Sequence, residues 1–339
     1  MIWLTWRQFR TQALTATAVL LVFLAALAMT WTQVTGLARD TGFTGCQADA
    51  CADAADAFRA AVLNAPVGSL YYAGMGVPLV LPVLLGMFWG APLVARELET
   101  GTYRIIFNQS ISRRRWLLAK LAVGGGAAAL NAGLVSLVLT RWAAPIDRAE
   151  GRISPMTFAS RGIVPIAFAA LAFVIGVTVG MVLRRTVAAM AVTLLLVVAV
   201  QVAAPGGLML LLTRPTTSVT ALNLDGRFMV GVHPETNEMQ LDAVSDVPGA
   251  WILSRTTVTP TGTEFTGPAD PTRCGPTDPR IGPTEECRAW LKTQNLSQKL
   301  TYVPGSSFWP MQWRVFGVLI ALTLGLSWFS LWWIRRRLA

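Results

Sequence analysis

Ala13–Val34 runs for 22 residues without one charged side chain. At about 1.5 Å per helical residue, such a tract crosses an apolar slab roughly 30 Å thick. Five more segments behave alike: 70–95, 116–140 with Lys120 near one end, 163–183, 186–213 and 311–334, the last uncharged from Val315 on after Arg314. A single tract in lipid must satisfy its own backbone hydrogen bonds, which makes each a helix. Only 14% of the 339 residues are charged and the mean hydropathy is +0.51, so the charge is confined to the connections. The expected fold class is an all-α polytopic membrane protein with six transmembrane helices.

The first tract has two readings. Arg7 and Arg10 before it, with Ala26-Leu-Ala28 inside it, have the form of a cleavable signal peptide. Its apolar core continues to Trp31 and Val34, which favours a retained anchor. Residues 1–12 interleave Trp3, Trp6 and Phe9 with arginines, the pattern of an amphipathic helix lying in the interface before turning into span 1.

Basic residues set the orientation. With the N-terminus inside, the inner connections hold thirteen bases and two acids, Glu97 and Glu99, against fifteen bases and sixteen acids outside. The net charge of +10 therefore lies on one face, a topology signal. Nucleic-acid binding would need a basic patch on a folded domain, and none is present. Both termini, including the tail 335–339, are expected in the cytoplasm. Trp116 and Trp142 bracket span 3 at the spacing of two membrane interfaces.

All four cysteines fall on the outer side, where disulfides persist. Four cysteines allow three pairings; the two local ones, Cys46–Cys51 and Cys274–Cys287, are expected. A zinc site is disfavoured, since neither pair has C-x-x-C spacing and His233 is the single histidine. The outer loop 35–69 carries an Ala-rich helix over 48–65. Segment 214–310 is polar and proline-rich, a small mixed α/β extracellular domain. In it, Trp251–Thr259 and Thr263–Thr266 flank Pro260-Thr-Gly262 as a hairpin, and 285–296 reads as a helix.

No Asp, Glu, Arg or His lies deep in a span, so a proton relay is not expected. No serine–histidine pair or metal cluster lies in the spans, and no G-x-x-x-x-G-K-[ST] phosphate loop occurs. The chain is thus not expected to be an enzyme by itself. Any uphill work must draw on another chain.

The connection 96–115 offers the contact. In ARELETGTYRIIFNQSISRRRWLLAKL, residues 95–121, Gly101 permits a turn, Thr102 can cap a helix, and Tyr103, Ile106 and Phe107 share one face. Ser112 can cap the helix entering span 3. Here the chain resembles a family: Glu97-Leu-Glu99-Thr-Gly101-Thr102, then Ser112-Arg113-Arg114 and Lys120, is similar to the first cytoplasmic loop of type-2 ABC exporter permeases. Phe308-Trp309-Pro310 entering span 6 and Arg335-Arg336-Arg337 closing it resemble an actinobacterial-style branch with a large outer domain. Ser110 stands where many members have proline.

The resemblance implies a bacterial plasma-membrane permease subunit working as two copies with two ATP-binding subunits. ATP and Mg²⁺ would act on the ATPase, and this chain would carry no cofactor. The loop helix would be the coupling helix, with Glu97, Glu99, Gly101, Thr102, Tyr103, Arg104, Ile106 and Phe107 as its contact set. Read from the residues alone, the two glutamates are either solvated headgroup-level charges or partner contacts, and the apolar face rests either on lipid or on the ATPase. The substrate would be a hydrophobic or amphipathic compound, because the spans offer no buried charge for an ionic one. Met87, Phe88, Asn131 and Gln201 are candidate pathway residues; Asn131 and Gln201 equally suit interhelical hydrogen bonds. Gly176-x-x-x-Gly180 in span 4 permits close helix packing. The same loop contact, without transport, would serve a sensor or mechanical transmitter working through 214–310.

Overall fold

A computed structural model describes residues 2–46, 50–103, 112–224, 228–232, 238–243, 247, 249–267, 274 and 284–337. The chain divides into two compact units, Met1–Leu212 with Phe308–Ala339, and Thr213–Ser307. Six helices in the first unit are long and apolar enough to cross a membrane.

The helices run in chain order. Span 1 is α1 (Ile2–Asp40), followed by α2 (Ala50–Asn64). Span 2 is α3 (Pro66–Leu84), a π-helical turn Leu85–Gly90, and α4 (Ala91–Glu99). Span 3 is α5 (Arg113–Trp142), with the short α6 (Ala144–Glu150) and α7 (Pro155–Ser160) behind it. Spans 4 and 5 are α8 (Val164–Leu183) and α9 (Thr186–Ala203), the latter prolonged by a π turn Ala204–Leu208 and α10 (Met209–Leu212). The second unit carries the β-strands and α11 (Glu285–Thr293), and span 6 is α12 (Phe308–Arg337).

Two expectations take a different form here. α1 is one unbroken helix from Ile2 to Asp40, without a turn after residue 12, because nothing between Trp3 and Val34 is a glycine or proline. Trp3 and Trp6 remain exposed on its first turns. Trp116 and Trp142 sit at the ends of α5 yet are buried against neighbouring helices rather than turned to an interface, and the Trp142 indole Nε1 donates to Thr30 Oγ1 at 3.1 Å.

Span 4 is the axis of the bundle. Its residues are buried around most of the circumference, from Val164 to Met181, with apolar neighbours from spans 2, 3 and 6. A helix hydrophobic all round with small residues on one side suits that place. The small side meets span 2. A Cβ on Gly176 would lie 2.3 Å from the Gly86 carbonyl oxygen, and one on Gly90 would lie 2.4 Å from that of Phe173. The π turn Leu85–Gly90, closed by Ala91 N–H donating to Gly86 O, gives way to α4, whose first turn holds Pro92, a nitrogen with no hydrogen to give. The glycine pair Gly176 and Gly180 thus serves packing within the chain.

In the second unit, β1 (Thr216–Ala221), β5 (Ser297–Val303) and β4 (Trp251–Val258) form an antiparallel sheet in that order, and β2 (Phe228–Val232) pairs with β3 (Met239–Ala243). The expected hairpin forms in short form: around Gly262 the Thr259 N–H donates to Thr263 O and the Phe265 N–H to Thr257 O, both at 2.8 Å, beside one bridge, Val258 to Glu264, while β5 pairs along the opposite edge of β4. Cys274 and Cys287 are bonded and buried with Leu291 and Phe228, and Cys46 is bonded to Cys51 in the first unit. Both local pairings are as expected from the sequence.

Candidate functional site

Three ends of helices converge where span 2 stops. α4 closes at Thr100, whose N–H donates to Arg96 O, and Gly101 follows at φ +73°, a left-handed conformation that a side chain would strain. Nothing lies within 4 Å of where a Gly101 Cβ would be, so its requirement is conformational. The Thr102 hydroxyl turns back to donate to Glu97 O at 3.4 Å and lies 3.1 Å from that of Thr100. Tyr103 packs half-buried against the main core. Arg104, Ile106 and Phe107, and with them the helix expected there, lie outside the described residues.

Both glutamates of the motif are engaged within the chain. Glu97 Oε1 lies 2.8 Å from Lys120 Nζ, which is 2% exposed and also donates to Leu93 O at 2.7 Å. Lys120 sits 4.8 Å from the centre of the Trp116 ring. Glu99 Oε2 accepts from the backbone N–H of Thr186 at 2.9 Å and from its hydroxyl at 2.6 Å. A carboxylate there satisfies a first-turn donor of α9 and faces the positive end of its dipole. The Arg184–Arg185 turn makes this possible, with Arg184 left-handed at φ 54°. On the far side of the loop, Ser112 caps α5 by accepting from Arg115 N–H. The end of α4 is thereby tied to span 3 through Glu97, to span 5 through Glu99, and runs into the loop through Gly101.

A family model described as "ABC-2 membrane transporter related" matches residues 17–208, more than half of the chain. The chain belongs to that family. Six apolar helices and the ABC-2 assignment make it a multi-pass membrane protein, the permease part of an ABC transporter, and imply an ATP-binding partner. The match spans the first five spans and stops before the second unit. No curated protein and no solved structure matches the chain.

Within this ABC-2 permease the four pathway candidates part company. Phe88 is exposed and lines a groove of about 490 Å³ between α1 and span 2; Met87 beside it is half-buried. Asn131 is buried: its Oδ1 accepts from Thr17 Oγ1 at 3.0 Å and its Nδ2 donates to Ala127 O at 2.9 Å. Gln201 Nε2 donates to Leu79 O at 2.7 Å. These two amides stitch span 1 to span 3 and span 5 to span 2.

A second polar centre was not legible in the sequence. Arg161 is 1% exposed and grips Asp147, with Nε 2.8 Å from Oδ2 and Nη2 3.4 Å from Oδ1. Its Nη1 donates to Gly74 O and Ser160 Oγ, while Tyr71 Oη donates to Asp147 Oδ1 at 3.0 Å. Burial pushes the Asp147 carboxyl up, and the Arg161 guanidinium pulls against that shift. Gln312 of span 6, fully buried, completes the centre: Oε1 accepts from Ile163 and Val164 N–H, and Nε2 donates to Phe158 O and Arg161 O. Both charges look like ordinary loop residues by spacing; only the fold closes the loop over them.

Proposed function

We propose that this permease is the membrane subunit of an ATP-driven exporter, moving a hydrophobic or amphipathic compound such as a drug, lipid or peptide out of a bacterial cell. Two copies work with two ATPase chains, and ATP with Mg²⁺ is used on the partner. The arginine-bearing end of the bundle faces the cytosol, as the inner excess of bases favours. The observation that carries the reading is the three-way tie at the end of α4. A push on the connection between spans 2 and 3 reaches span 3 through Glu97–Lys120 and span 5 through Glu99–Thr186. Rigid-body alternation of access needs such linked ends. ATPase contact falls to Tyr103, Arg104, Ile106 and Phe107, while Glu97 and Glu99 transmit.

The test is flux and hydrolysis measured together in vesicles holding permease and ATPase. Phe107→Asp is expected to abolish ATP-dependent flux while hydrolysis by the ATPase chains and membrane insertion persist. Unchanged flux would overturn the loop's role. A second reading, a sensor or mechanical transmitter, is favoured by the second unit, which has its own core around Leu291 and its own disulfide. Vesicles that show hydrolysis but no flux of any hydrophobic or amphipathic compound would favour it.

A further inference from the structure

Two cavities lie in series along the seam between α1 and span 2. The first, about 430 Å³, is lined by Arg96, Glu97, Thr100 and Thr102 with Gln12 and Phe9 of α1. The second, about 490 Å³, is apolar: Ala16, Val19 and Leu20 face Leu81, Leu84 and Phe88. Gln12 lines both, and Phe9 meets Trp89 edge-on at 4.7 Å where they adjoin. Each volume is that of a small-molecule site.

The charge at the polar end is unbalanced. Arg96 is exposed and makes no ion pair or hydrogen bond among the described residues through its side chain. The neighbouring acid, Glu97, is already neutralised by Lys120. The cavity therefore presents the Arg96 cation, an amide and two hydroxyls beside a Glu97 carboxylate held by Lys120, a net positive set at the end of a transmembrane helix, with an apolar trough leading away from it. From Arg96 to Leu84 is twelve residues, roughly 18 Å along the helix, close to one leaflet of a slab about 30 Å thick.

We infer that this seam holds one anionic glycerophospholipid, its phosphate at Arg96 and Gln12 and an acyl chain along Ala16, Leu20, Leu84 and Phe88. Basic pockets between membrane helices select anionic headgroups in this way. The lipid comes from the leaflet beside the arginine-rich end, and its chain covers the exposed Phe88. It also touches Thr100 and Thr102, so its presence bears on the mobility of the tied loop end. The inference does not depend on transport, because its test reads lipid retention alone.

Delipidated permease in detergent is titrated with palmitoyl-oleoyl phosphatidylglycerol or the matching phosphatidylcholine, and retained lipid is counted by native mass spectrometry. The expected result is one phosphatidylglycerol per chain, retained about fivefold better than phosphatidylcholine, the worth of one interfacial cation. Arg96→Gln, an exposed substitution that leaves packing alone, is expected to abolish that preference. Ala16→Trp, filling the trough, is expected to lower retention of both lipids; Val19→Trp on the exposed side replaces it if the first variant fails to fold. Equal retention of the two lipids by the unaltered chain, a preference that survives Arg96→Gln, or retention unchanged when the trough is filled would each overturn the proposal.

Discussion

Glu97 Oε1 and Lys120 Nζ stand 2.8 Å apart, joining the last turn of span 2 to the interior of span 3 through a lysine that is 2% exposed. A charge buried this far in a bundle stands only while its partner does. Lys120→Met should destabilise the permease by about 3 kcal/mol or more, the usual cost of leaving one ion of a buried pair alone. The double variant Glu97→Gln with Lys120→Met should recover much of that loss. Thermal unfolding of the four proteins in detergent gives the cycle; additive effects would remove the linkage.

The Arg161 centre predicts a sharper pattern. Arg161→Leu strands Asp147 and costs about 3–5 kcal/mol. Gln312→Leu leaves the N–H groups of Ile163 and Val164 and two carbonyls without partners, at about 1–3 kcal/mol for each buried group. Melting temperature is the readout for both. A Gln312→Leu protein as stable as its parent would mean that span 6 does not lean on that loop.

Close packing of spans 2 and 4 can be tested by adding single methyl groups. Gly176→Ala places a carbon against the Gly86 carbonyl, a backbone atom that cannot swing aside, and should abolish expression of folded protein. Gly126→Ala, on α5 with nothing within 4 Å, should be neutral or stabilise by up to about 1 kcal/mol. Size-exclusion profiles of the two variants separate a steric cause from a general intolerance of alanine.

The disulfides should differ in worth. Cys274–Cys287 closes a separation of 13 residues inside a buried cluster, and Cys46–Cys51 one of 5. Replacing the first pair by serine should cost about 3 kcal/mol, and replacing the second should cost less, because the shorter loop has less entropy to lose. Differential scanning of both variants gives the order.

The six spans were legible because insertion into lipid is decided residue by residue: Ala13–Val34 has no charge whatever surrounds it. The local disulfides, the Ser112 cap, the Gly101 turn and the helix Ala50–Asn64 follow from neighbours close in sequence for the same reason. Sequence also placed the motif Glu97–Thr102 and the family it resembles.

Tertiary structure decided where those charges point. Glu97 and Lys120 are 23 positions apart, and Arg161 meets Gly74 across 87. Nothing local marks such partners, because the stabilisation exists only once helices lie side by side and water has left. The same holds for span 4 as the axis, for β5 between β1 and β4, and for the seam where Arg96 lines one cavity and Ala16 the next. Transfer to lipid is a sum over single residues, which a sequence carries; contact is a property of pairs, which the fold alone assigns.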